Sequence, residues 1–337
     1  EKRLCEAEPI APVREIKPVL IRKCRLREYI IRGDVVKEAK KIASDERDGF
    51  LYDFGVNSAG TVKLRISGER GRQIDLQFGE YFAPDGEPDT SNICFYPAGY
   101  SQRDMYILKG EGEEIFEPVF TYHGFRYCVV LGITEQEATA DLLTFVVQNS
   151  ALREIGSFVC SDGMTNKLQA MTRNSDLSNF YYFPTDCPHR EKLPWLEQLH
   201  LMFGSLQYTF DMFSLYEKML DDMAMAQLPN GLVPDIAPEY ALFREAFRDS
   251  PEWGSAFVLV PLYLYEYYGD GTMLRKHYEA MGRYVDYLTS KADDHILKHG
   301  LGDWFDIGTK MPGRAQLSSL AATATPIYYM DALAMVK

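Results

Sequence analysis

The sequence predicts a multidomain β + α protein, with an antiparallel β-sandwich ahead of a helical region, and three observations carry that expectation. At 337 residues the chain exceeds one ordinary core, so two units of roughly 100–200 residues are expected. From Phe50 to about Gln148 apolar residues recur with period two, as half-buried strands require. Beyond Asp162 the period becomes helical.

Taken in order, residues 1–47 mix Pro, charges and one strand-like run, Pro18 to Ile21, and read as a linker or as part of the sandwich. Residues 48–150 are the sandwich proper. Within it Val62, Leu64 and Ile66 share one face, and after the Gly68–Gly71 turn Ile74, Leu76 and Phe78 alternate with Asp75 and Gln77, which predicts a hairpin. Phe125, Tyr127 and Val129 continue the alternation, and Leu142 to Val147 adds a further strand. Short strands without intervening helices argue for a sandwich.

Residues 151–337 carry about six predicted helices. Leu274, Tyr278, Met281, Val285 and Leu288 form the clearest apolar stripe, with Thr272 as its N-cap. Phe213, Tyr216, Leu220 and Met223 make a second stripe ahead of the Pro229-Asn230-Gly231 stop, and Leu168 and Met171 mark a helix just past the boundary. The Met and Tyr residues of these stripes are expected in the core.

Composition narrows the function. A formal net charge of −13 and the lack of a basic stripe argue against nucleic acid as a partner. The longest apolar stretch, Phe257 to Tyr265, falls far short of the ~20 residues a membrane helix needs and contains Pro261, so no membrane span is expected. No apolar signal segment follows Glu1, and the compartment stays open between periplasmic or secreted and cytoplasmic. The six cysteines, Cys5, Cys24, Cys94, Cys128, Cys160 and Cys187, show no C-x-x-C pair or Cys/His cluster, so they read as free thiols, with no metal and no cofactor expected. The 22 Tyr, 19 Phe and 3 Trp supply flat faces suited to sugar rings, although most aromatics fill cores.

The densest polar cluster runs from Pro184 to Gln198. Asp186 and Glu191 offer carboxyls, Arg190 a fork of donors and Trp195 a stacking face, the parts of a sugar site. A helix cap at Thr185–Pro188 and a solvated Arg190/Glu191 pair would account for the same residues. Two later segments repeat the combination of acid, Trp and Gly: Arg248 to Gly254, with Asp249 and Trp253, and Gly300 to Asp306, with Asp303 and Trp304. In a helical barrel such turns gather at one rim. Core tryptophans beside capping acids remain the bland alternative.

At these residues the chain resembles family 78 of the glycoside hydrolases, the bacterial α-L-rhamnosidases. Asp186 to Trp195 is similar to the family's Asp-Cys-Pro-x-Arg-(Asp)-Glu-Arg-x-Gly-Trp motif, in which Glu191 matches the general acid. Asp249 to Gly254 and Gly302-Asp303-Trp304 resemble two further rhamnose-pocket segments. Tyr52–Gly55, Phe78-Gly79-Glu80 and Tyr122–Tyr127 resemble the family's sandwich domain, so the likeness runs from about Tyr52 to Lys337. Pro194 stands where Gly is usual, Ser255 where Asp is common, and Gln198 near where another acid is often found.

The resemblance implies an (α/α)6-type helical barrel, apparently truncated, since the family's barrel has about twice the helices counted here. It implies a rhamnose-containing oligosaccharide or glycoside as partner and inverting hydrolysis, in which one carboxyl protonates the leaving oxygen and another activates water. Glu191 is the expected acid, with the base beyond Lys337. Asp186, Arg190, Trp195, Glu197, Asp249, Trp253, Asp303 and Trp304 are the expected sugar-binding residues, with Glu197, Asp235 and Glu239 as reserve carboxylates. A non-catalytic carbohydrate-binding protein and another α/α-barrel glycosidase or polysaccharide lyase are the alternatives.

Overall fold

The computed structural model describes residues 7–32, 40–43, 46–93 and 102–337. Strands β1 (Ile10–Ile16), β2 (Leu20–Leu26), β3 (Tyr29–Arg32) and β4 (Lys40–Ala43) precede the 21-residue β5 (Arg47–Ser67). Then come β6 (Gln73–Gly79), β7 (Tyr81–Phe82), β8 (Pro88–Asp89), β9 (Arg103–Ile107), β10 (Glu113–Phe116), β11 (His123–Leu131) and β12 (Leu143–Ser150). One antiparallel sheet runs β1-β12-β5-β11-β6-β9, with β2 and β10 also paired to β5. Among the described residues the strands of the expected sandwich make one curled eight-stranded sheet, beside the two-stranded pairs β3-β4 and β7-β8. The cause is β5, whose first half pairs with β2 and whose second half is taken up by β12 and β10. Strands from the unassigned N-terminal stretch join this sheet directly, β1 on β12 and β2 on β5.

The predicted strand faces are correct, but their pairing is not. Val62, Leu64, Ile66, Ile74, Leu76 and Phe78 all lie in one core with Phe54, Phe125 and Phe145, each large side chain worth ~1.5–3 kcal/mol of burial. The hairpin between the two runs does not form, because β11 lies between β5 and β6. With the edges of the second half of β5 occupied, the chain crosses over after the Gly68–Gly71 turn instead of folding back.

Phe125, Tyr127 and Val129 do not share a face either. The register of β11 on β5 jumps from Phe125 opposite Ser58 to Tyr127 opposite Asp53, so a bulge separates them. A shift of this kind exchanges the two sides of a strand. Phe125 thus points into the main core, while Tyr127, Val129 and Leu131 join Cys24, Leu26 and Leu51 on the other side.

Eight α-helices are described: α1 (Gly163–Asn179), α2 (Glu197–Leu201), α3 (Phe203–Leu206), α4 (Phe213–Ala226), α5 (Pro251–Gly254), α6 (Ala256–Tyr268), α7 (Thr272–Lys291) and α8 (Ala321–Val336). Three of them, α2, α3 and α5, are too short to leave a periodic stripe, and the total exceeds the expected six or so. The run that ended the membrane argument is α6, apolar on every side and buried from Ala256 to Leu262. It packs against α4, α7 and α8, as an all-round apolar helix must.

The stripe of α7 is rotated from its expected position. Met273, His277, Met281, Tyr284, Tyr287 and Leu288 are buried, while Tyr278 is exposed. Its N-cap is Gly271, with Asp270 accepting from the Thr272 amide at 2.7 Å. On α1 Leu168 and Met171 are exposed, against expectation. That helix meets the sheet through polar groups, Ser178 Oγ lying 3.1 Å from Ser58 Oγ and Asn174 donating to the Asn57 carbonyl. Cys24, Cys128, Cys160 and Cys187 are free thiols; Cys5 and Cys94 lie outside the described residues. Among the described residues no helix is long and apolar enough to cross a membrane.

Candidate active site

Three connections between helices meet at one end of the helical region: residues 180–196, 227–250 and 292–320. Hydrogen bonds join them in series. The Leu196 amide donates to the Asp235 carbonyl (2.9 Å), the Ser250 amide to Asp235 Oδ1 (2.8 Å) and the Leu301 amide to Ser250 Oγ (2.9 Å). Rings add to the seam, Trp195 against Phe243 at 5.0 Å and Phe247 edge-on to Trp304 at 5.3 Å.

The first connection is folded on itself by Asp186. Its Oδ1 accepts from the Leu193 amide at 3.1 Å and its Oδ2 from the Cys187 thiol at 2.9 Å, while the Glu191 amide donates to Cys187 Sγ at 3.3 Å. This presents the Glu191 carboxyl, whose Oε2 accepts from Trp195 Nε1 at 3.1 Å and whose Oε1 lies 3.7 Å from Arg190 Nη2. Burial holds the Glu191 carboxyl above the usual range, and the Asp186 charge adds to that. The Trp195 N–H, Arg190 and His189 pull it back. Asp186 is itself raised, chiefly by burial, against its hydrogen bonds from Cys187 and Leu193. A carboxyl so placed holds its proton more readily than a free one and remains partly exposed. Arg190 remains partly exposed, and its buried Nε has no partner among the described residues.

Other expected binding residues are distributed unevenly. Glu197, at the start of α2, faces the charges of Glu252 and Asp303, and burial together with these two acids pushes its carboxyl up to about 7. Asp303 is exposed, and Trp304 is half-buried beside Phe247 and Phe305. Trp253 corrects its expected role: it is 4% exposed within the helical core and meets Trp195 edge-on, so it offers no open face. Asp249 is engaged by its neighbours, with Tyr287 O–H and Lys291 Nζ on Oδ2 at 2.5 and 3.1 Å and His299 Nε2 3.2 Å from Oδ1. Of the reserve carboxylates, Asp235 is fully buried and Glu239 is gripped by Arg248 through two bonds of 2.6 and 2.8 Å. Gln198, at the position noted for a missing acid, donates to the Pro184 carbonyl at 2.8 Å.

Several residues at the site carried no assigned role in the sequence. Glu252 is buried, accepts from Thr323 Oγ1 at 2.6 Å through Oε1, and leaves Oε2 without a partner among the described residues. Lys192 donates to the Tyr122 carbonyl at 2.6 Å and lies over the Tyr122 ring at 4.6 Å; burial pulls its ammonium down to about 8. His189 meets Glu80 of the sheet. The only signal for the sheet residues was their place in the resembling segments Phe78-Gly79-Glu80 and Tyr122–Tyr127. Among the described residues no cluster of His, Cys, Asp and Glu is arranged to hold a metal ion.

A raised carboxyl beside a second acid, a partly exposed arginine and half-buried aromatic rings at one end of the helices are groups that could deliver a proton to a bound substrate. The chain belongs to the bacterial α-L-rhamnosidase family. The family's six-hairpin glycosidase domain matches residues 153–337, and its concanavalin-like domain matches residues 44–148. An α-L-rhamnosidase of Formosa agariphila is 34% identical over 267 residues, covering 76% of this chain and 28% of the relative. One from Streptomyces avermitilis is 33% identical, covering 81% and 26%. The chain thus spans under a third of the length of these relatives. Among solved structures, the α-L-rhamnosidase from Dictyoglumus thermophilum superposes with a TM-score of 0.79 at 31% identity, over 97% of this chain and 34% of that one. The Streptomyces avermitilis α-L-rhamnosidase complexed with L-rhamnose gives 0.79 at 27%, over 98% and 29%.

Proposed function

We propose that this chain is part of an α-L-rhamnosidase that removes terminal α-L-rhamnose from glycosides or polysaccharides by inverting hydrolysis, with Glu191 as the general acid. The observation that carries this reading is the Glu191 carboxyl, pushed above the usual range by burial and by the Asp186 charge while its Oε2 accepts from Trp195. Such a group gives its proton to the leaving oxygen as the glycosidic bond breaks. The partly exposed Arg190, Glu197 and Trp304 and the exposed Asp303 form the proposed rhamnose pocket. Asp186 shapes the loop, Trp253 backs Trp195, and Asp249 holds its turn against α7. The helices are proposed to be part of an (α/α)6-type barrel. The base is proposed to come from the portion of the relatives' length that these residues do not span.

The test places Glu191→Gln in a protein of the relatives' length. Hydrolysis of an aryl α-L-rhamnoside should fall by ~10²–10⁴ with the melting temperature unchanged. Near-normal turnover would remove Glu191 from the acid role. Proton NMR of the first-formed sugar should show the inverted anomer; retention would overturn the water-attack route.

A further inference from the structure

The loop that carries Glu191 rests on the sheet region at three points. Pro188 lies against Gly124, where an added Cβ would stand 2.6 Å from Pro188 Cγ. His189 Nε2 lies 3.1 Å from Glu80 Oε1. Lys192 donates to the Tyr122 carbonyl. Residues 188, 189 and 192 thus meet the sheet region, while the Glu191 carboxyl bonds to Trp195 and Asp186 bonds within the loop to Cys187 and Leu193.

Glu80 is the best braced of these contacts. It follows β6 directly, and the end of that strand is fixed by Tyr127, whose hydroxyl donates to the Tyr81 carbonyl at 2.9 Å. Asn92 Nδ2 donates to Glu80 Oε1 at 2.8 Å and Asn57 Nδ2 to Oε2 at 2.6 Å. Asn57 belongs to the bulged segment of β5 and is tied in turn to Asn174 of α1. A carboxylate fixed by two side-chain amides has little freedom to follow the loop, so the loop must follow it.

We propose that Glu80 is a positioning residue for the acid loop, a sheet carboxylate that holds the His189 imidazolium and so fixes the orientation and charge environment of Glu191 two residues further on. The assignment rests on the proposed role of Glu191 for its catalytic consequence, but not for the pair itself. Burial by itself would lower His189; the Cys187 sulfur and the Glu80 carboxylate beside it outweigh burial and raise it to about 9. The other charged groups of the loop around it are Asp186, Arg190, Glu191 and Lys192. Glu80 is correspondingly lowered, against burial, by its bonds to His189, Asn57 and Asn92. The His189 charge in turn pulls the Glu191 carboxyl downward.

The test is an NMR titration of the imidazole Cε1–H signals of the whole chain, with His189 identified by its loss in His189→Gln. His189 should titrate near 9, and in Glu80→Gln, which keeps the amide contacts in shape but removes the charge, its midpoint should fall by at least about one pH unit. A native midpoint at or below that of a free imidazole overturns the proposal without any variant, as does an unchanged midpoint in a folded Glu80→Gln protein. In a protein of the relatives' length the alkaline limb of rhamnoside hydrolysis should move upward in His189→Gln, because Glu191 loses its cationic neighbour; an unmoved limb denies the positioning role. Absence of hydrolysis by the unsubstituted protein counts against the rhamnosidase reading alone, since the titration decides the pair.

Discussion

The indole N–H of Trp195 donates to Oε2 of Glu191 at 3.1 Å, across one turn of chain. The bond stabilises the ionised carboxylate, so it opposes the upward pull of burial on Glu191. Trp195→Phe preserves the ring and removes the donor. The alkaline limb of the pH–rate profile should then rise by about one pH unit, as expected for losing one hydrogen bond to a charged group. A profile that stays in place would mean that the indole only packs.

Asp249 tests whether an acid of the second segment binds sugar or holds the fold. Burial pulls its carboxyl upward, but His299, Tyr287 and Lys291 together take it below the usual range. A depressed carboxyl stabilises the fold above its ordinary value and loses that contribution as the pH falls through the folded one. Asp249→Asn should cost on the order of 2 kcal/mol at neutral pH, with the gap to the unsubstituted protein closing in acid. Denaturant melts at both conditions check this. A large rise in KM with an unchanged melt would restore a sugar-binding role.

Glu197 has the opposite sign. Its folded carboxyl is raised to about 7 from an ordinary 4.5 by burial, Glu252 and Asp303. The folded state therefore holds the proton more tightly than the unfolded chain. The stabilisation is complete below about 4.5 and is lost as the pH climbs through about 7. Glu197→Gln should gain about 1–2 kcal/mol relative to the unsubstituted protein between pH 4.5 and 8, after discounting for its partial exposure. Thermal melts at the two pH values measure the difference, and parallel behaviour of the two proteins would contradict it.

The sequence was legible where local pattern and burial coincide. Period two marked the buried faces of β5 and β6, and the apolar run of α6 marked a central helix. Pairing was not legible, because the length that lets β5 serve several neighbours is a property of the whole sheet. The α7 stripe was rotated because His277, Tyr284 and Tyr287 are buried while Tyr278 is exposed, and an amphipathic side chain fits either side of a helix, so the pattern does not say which tyrosine turns inward. Asp186, Glu191 and Trp195 were legible together since they lie in one short segment. Glu80 and Tyr122 were not, because each meets the acid loop across a long interval of sequence and neither has a chemistry that singles it out. Trp253 shows the limit of composition: Trp beside an acid describes a core anchor as well as a sugar face.

Because Pro188 rests where a side chain at Gly124 would stand, the sheet and the helices are not exchangeable parts. A chimera that joined these helices to another relative's sheet near residue 150 would cut at a point where the sequence looks divisible. Any larger residue at position 124 would then press directly on the proline three residues before Glu191. Successful recombination would have to carry the glycine, Glu80 and the Asp186–Trp195 loop as one inherited block, however far apart they stand in the gene.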